Sequence, residues 1–126
     1  MEFFDYFIIA LKVIVSLSIL NVWLIQPQKD TKWRGGNAST IVEEFQVYGL
    51  SKTVCYLVGF LKVGLAILLL ASIQYENFTL IASLGLAVLL AGSVIMHFKI
   101  GDELYKSFPA ALFILMNLII AYYAYY

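Results

Sequence analysis

The chain has 126 residues, of which 63% are hydrophobic and 13% charged, and its formal net charge is zero. A soluble domain carries about 25% charged residues; half that charge cannot cover a water-facing globule, so the expected solvent is lipid. Zero net charge argues against nucleic acid as a partner, because phosphate binding draws on a basic face. The single cysteine, Cys55, rules out an intrachain disulfide and a C-x-x-C redox pair, and reads as a small packing residue.

Crossing a hydrocarbon core of ~30 Å takes about 20 apolar residues in a helix. Four stretches qualify, 3–25, 54–73, 78–97 and 108–126. They predict one all-α membrane domain, a four-transmembrane-helix bundle. The first stretch opens on Glu2 and Asp5 where a signal peptide would be basic, and no small-x-small cleavage site closes it, so it is read as a span. Pro27 stops it. The long connection 26–53 follows, broken by "GGN" at 35–37. Within it Ile41, Phe45 and Tyr48 fall at helical spacing, predicting a short amphipathic helix over 39–48. Ser39 or Thr40 is its cap and Gly49 its end. Such a helix lies in the interface or folds back into the bundle.

The link 74–77 is so short that spans two and three must form an antiparallel hairpin. Ser83, Ala87 and Ala91 repeat every four residues on span three, a small-residue face suited to a close helix neighbour. Ser107 is the expected N-cap of span four, with Pro109 in its first turn.

Even-numbered crossing puts 26–53 and 98–107 at one end of the bundle and both termini at the other. The loop end carries Lys29, Lys32, Arg34, Lys52, Lys99 and Lys106; the other carries only acids, Glu2, Asp5 and Glu76. Positive charge in short loops marks the cytoplasmic side, so both loops are expected inside and the termini outside.

Polar groups within the spans carry the functional reading. A lysine at mid-span costs roughly 2.5–3.5 kcal/mol on insertion scales and calls for a partner or a cavity. Lys12 is close enough to the acidic end to snorkel toward Asp5 or a lipid phosphate. Lys62 lies deeper, between Gly59 and Gly64, and is expected to pair inside the bundle with Glu43, Glu44 or Asp102. Asn117 falls at about the same depth, and Asn21, Ser18 and Ser93 nearer the loop end. Together they suggest a loop-side pocket; the competing reading has each Ser or Asn bonding its own helix backbone. His97 ends span three. One histidine without a Cys, His or carboxylate set at ligand spacing predicts no metal site within one chain. No nucleophile elbow, P-loop or dinucleotide fingerprint is present, so no catalytic residue or cofactor is identifiable.

Three motifs in fixed order, "EEF-x-x-YGL" at 43–50, "VGFLKVGLA" at 58–66 and "MHFKIGD…K-S-x-P-A" at 96–110, resemble the DoxX-like family of small membrane proteins. The resemblance implies a four-helix bundle in the bacterial cytoplasmic (inner) membrane. The family takes its name from a membrane subunit of a thiosulfate:quinone oxidoreductase, and other relatives resemble partners of superoxide-detoxifying complexes or a receptor-assembly chaperone. It supplies no catalytic residue set, so Glu44, Lys62, His97 and Asp102 are motif positions with a pocket role. Three functions follow as expectations. The first is an accessory subunit that binds a quinone, lipid or similar amphiphile beside a membrane redox partner, an enzyme component at most. The second is an assembly factor or scaffold, with homo-oligomers included. The third, a transporter, suits four spans poorly without oligomerisation.

Overall fold

In lipid every backbone group must find its partner within the protein, and the four apolar stretches meet that demand as helices. The computed structural model describes residues 2–125 and contains α1 (Phe3–Leu20), α2 (Ile41–Val47), α3 (Lys52–Ala71), α4 (Thr79–Lys99) and α5 (Phe108–Tyr125). With their flanking turns, α1, α3, α4 and α5 are long and apolar enough to cross a membrane. No strand occurs among the described residues. Phe60 and Val88, mid-span, are 75% and 70% exposed. Only an apolar solvent tolerates a surface of that kind.

α4 packs most extensively on α5, and α1 lies against α3 and α5. The core between them is aliphatic: Ile8, Leu11, Val15 and Ile19 of α1 meet Ala66 and Leu69 of α3, Ala82 and Leu86 of α4, and Ile120 of α5. Ser83 and Ala87 of the small-residue repeat are buried, as a close helix neighbour requires.

The termini of the helices differ in detail from the sequence expectation. The α-helical part of the first span ends at Leu20 and continues as a wider π-helical turn, Asn21–Ile25, before Pro27. Thr40 caps α2, its hydroxyl accepting from the Glu43 N–H at 3.1 Å, and Ser51 caps α3 through Val54 at 3.2 Å. Ser107 does not cap α5. It belongs to a 3-10 turn, Leu104–Ser107, that runs straight into the helix, and its buried hydroxyl has no partner among the described residues.

α2 and α4 end the same way. Gly49 (φ +85°) and Gly101 (φ +73°) take the left-handed conformation that closes a helix with paired back-bonds, Leu50 N–H to the Phe45 carbonyl at 2.9 Å and Asp102 N–H to the His97 carbonyl at 3.0 Å. Such a closure brings the residue after the glycine over the residue five positions earlier. At α2 that contact is apolar, Leu50 packing on the cluster that holds Phe45. At α4 it joins His97 to Asp102.

Candidate functional site

That closure is the seed of the site. His97 Nδ1 lies 2.7 Å from Asp102 Oδ2, both side chains nearly sequestered from solvent. The Asp102 carboxylate also accepts the Gly36 N–H (3.1 Å to Oδ1, 3.3 Å to Oδ2) and faces Lys106 Nζ at 3.8 Å. Lys106 in turn donates to the Gly36 carbonyl at 2.7 Å, and Lys99 to the Tyr48 carbonyl at 3.1 Å. Three charged groups of the α4–α5 corner therefore stitch the long loop down over the bundle.

The loop supplies the other half. α2 folds back into the bundle with Ile41, Phe45 and Tyr48 buried, while Glu43 stays exposed. One helical turn sets Tyr48 beside Glu44, and the phenol donates to Glu44 Oε1 at 2.7 Å. Burial, and after it the charge and hydrogen bond of Glu44, raise the Tyr48 pKa, so the phenol keeps its proton. Arg34 Nη1 faces Glu44 Oε2 at 3.5 Å, while its Nε and Nη2 hold the Gln26, Pro27 and Lys29 carbonyls at 3.2–3.4 Å.

Tyr48 Oη lies 3.3 Å from His97 Nε2, joining the halves into one chain, Arg34–Glu44–Tyr48–His97–Asp102. Both ends of its central part are carboxylates. Tyr48 has one proton and gives it to Glu44; His97 gives Nδ1–H to Asp102. The Tyr48–His97 contact becomes a hydrogen bond only when Nε2 carries a proton as well.

Beneath this lid lies a cavity of about 320 Å³. Its loop end is polar, with Thr31, Arg34, Glu44, His97 and Lys106 on the wall; its membrane end is built by Ile19, Val22, Leu90 and Phe113. Lys62 and Ser93 stand within the apolar half. Lys62 is 7% exposed and donates to Ser93 Oγ at 3.3 Å, with the Trp23 ring centroid 5.6 Å from its ammonium. Trp23 is carried by the π-helical turn, a feature frequent at functional sites, and lies so close to α3 that a Cβ at Gly59 would come within 2.6 Å of its ring.

Of the residues singled out from sequence, Lys62, His97 and Glu44 share the cavity wall, and Asp102 sits behind His97. The expected carboxylate contact to Lys62 is absent among the described residues; Glu44 shares the cavity but lies outside ion-pair range. Asn117 and Asn21 are not on the wall. Asn117 is fully buried and donates to its own helix at the Phe113 carbonyl, 2.8 Å away, which is the backbone-bonding alternative. Asn21 reaches Gln26 Oε1 at 3.5 Å. Similar depth in the membrane does not put two residues on the same face. Sequence reasoning missed Tyr48 as a polar member, Trp23 and Arg34; the Glu44–Tyr48 spacing of four was the available signal for the first.

The DoxX-like family model matches residues 34–119, from the arginine of the lid to α5, more than half of the chain and all of the stitched network. The protein belongs to the DoxX-like family. No curated protein and no solved structure matches the chain. Within this DoxX-like protein, the matched segment contains every ionisable group on the cavity wall. The wall's one described histidine has no companion ligands, and no cluster of metal-ligating side chains occurs among the described residues.

Proposed function

We propose that this DoxX-like protein is a non-catalytic accessory subunit whose loop-capped cavity holds a small amphiphile, a quinone or a lipid, beside a membrane redox partner. The observation that carries the reading is Lys62, a buried cation whose contacts are a hydroxyl and an aromatic face. An ammonium so placed lacks the hydrogen-bonded anion that normally offsets desolvation. A ligand carbonyl, carboxylate or phosphate supplies that acceptor, and the aliphatic wall takes its apolar body. The absence of Lys and Arg from the segments flanking the spans at the termini end supports placing both loops on the cytoplasmic side of a bacterial inner membrane.

The test uses Trp23, which lies against Lys62. In nanodiscs, a membrane quinone is expected to quench the protein's tryptophan emission saturably, and Lys62→Met to abolish the saturable part. Quenching that grows linearly with quinone in both proteins would defeat the proposal.

One observation favours a second reading, assembly or scaffolding of other membrane helices. Gly64 and Gly92, both mid-span, have nothing within 4 Å of an added Cβ, so two small-residue sites lie open on the surface. Under that reading a membrane protein co-purifies stoichiometrically, and Gly64→Leu with Gly92→Leu releases it.

A further inference from the structure

The termini-bearing end holds a second cavity, of about 350 Å³, walled by α1, the α3–α4 link and the end of α5. Lys12 lines it at 5% exposure and donates to the Ser72 carbonyl (3.1 Å) and the Thr79 hydroxyl (3.0 Å). Both partners are neutral, and the third ammonium proton has no acceptor within the described hydrogen bonds. The dipoles of the adjoining helices give little help. Ser72 ends α3, a negative pole, but Thr79 begins the 21-residue α4, a positive pole of similar size. The full charge of Lys12 thus lies at the wall without a counter-ion in contact.

Two carboxylates line the same cavity. Asp5 precedes Lys12 by seven residues, two turns or roughly 10 Å up the same face of α1, and the lysine stem leans back toward it. Asp5 is held in place by the Tyr123 hydroxyl and by the Glu2 N–H at 3.0 Å. Glu76 lies exposed on the opposite side of the opening. Neither acid reaches ion-pair distance of Lys12 among the described residues. Ile8 and Ile9 fill the interval between the charges on α1.

An anion alone would meet two carboxylates on the way in, and a cation alone would meet Lys12. A molecule carrying both charges satisfies both. We propose that this cavity binds a compact zwitterion, its phosphate on Lys12 and the positive end of α4, its primary ammonium between Asp5 and Glu76. That chemistry occurs as the head of phosphatidylethanolamine or as free phosphoethanolamine. A quaternary ammonium cannot donate to the carboxylates, and a glycerol head lacks the charge.

Full-length protein is reconstituted with equimolar phosphatidylethanolamine, phosphatidylcholine and phosphatidylglycerol of one acyl composition, and retained lipid is read by native mass spectrometry. The ethanolamine lipid is expected to be retained about tenfold over the other two, the equivalent of one charge-assisted hydrogen bond. Lys12→Met is expected to remove retention. Glu76→Gln, at an exposed position, leaves the fold intact and is expected to erase the ethanolamine preference. If instead the soluble head binds by titration calorimetry in ethanolamine-free nanodiscs, and loses affinity in Glu76→Gln, the same site takes the free zwitterion. Equal retention of all three lipids without binding of the soluble head, or a preference that survives Glu76→Gln, would overturn the proposal.

Discussion

The two ends of the bundle each bury one lysine, and they treat it differently. Lys12, at the termini end, is tied to a helix-terminal carbonyl and a hydroxyl, and its cavity opens between two acids. Lys62, at the loop end, has one hydroxyl at 3.3 Å and an aromatic face, and its cavity is roofed by residues stitched across from 66 and 70 positions away. One lysine joins helices together; the other waits under a lid. The same residue type at mid-span can thus be tied firmly between helix ends or held by a single hydroxyl, and its neighbours decide which.

The comparison makes predictions of unequal size. The largest concerns the lid. Asp102→Ala strips the acceptor from His97, Gly36 and Lys106 together and is expected to cost about 3 kcal/mol, the range for breaking a buried pair from one side. Denaturation in mild detergent measures this, and proteolysis within 29–38 should accelerate as the loop lifts. An unchanged stability and cleavage rate would mean that the stitching holds nothing down. The lysines come next, with opposite signs. Lys12→Met leaves the Ser72 carbonyl and the Thr79 hydroxyl without their donor and is expected to destabilise by about 1–3 kcal/mol. Lys62→Met replaces a poorly satisfied buried charge by an apolar side chain of similar length and is expected to be neutral or stabilising by about 1 kcal/mol. Equal losses would erase the distinction between the two ends.

Gly101→Ala follows at about 1–2 kcal/mol, because a side chain is placed in the left-handed region where the α4 closure is made. Its sharper readout is the His97 imidazole signal in NMR, which should move as Asp102 is displaced. The smallest effect is at Asn117, buried with one amide oxygen unpaired. Asn117→Leu is expected to change stability by less than about 1 kcal/mol and to leave ligand binding intact; a loss of binding would return Asn117 to the site.

Much of this fold was legible because lipid imposes simple rules. Span lengths, the hairpin at 74–77 and the inward face of α2 all follow from apolar length and period. The site was legible in part. His97 and Asp102 stand at the spacing that a glycine-closed helix end brings together, and Glu44 and Tyr48 at one helical turn. The apolar period of α2 claimed Tyr48, which hid its polar role. Lys12 was expected to snorkel; it is buried, because its partners Ser72 and Thr79 sit 60 and 67 residues away, where no local pattern points. Asn21 and Asn117 share the depth of the cavity but not its direction, and direction depends on how the helices turn against one another.

The central claim is that the loop-end cavity holds an amphiphile on Lys62. Native mass spectrometry of gently extracted protein tests it most directly. The wild type is expected to carry one quinone or lipid per chain beyond any bound at the Lys12 end, and Lys62→Met to lose it while Lys12→Met retains it. A wild-type mass identical to that of Lys62→Met, with both proteins folded, would contradict the account.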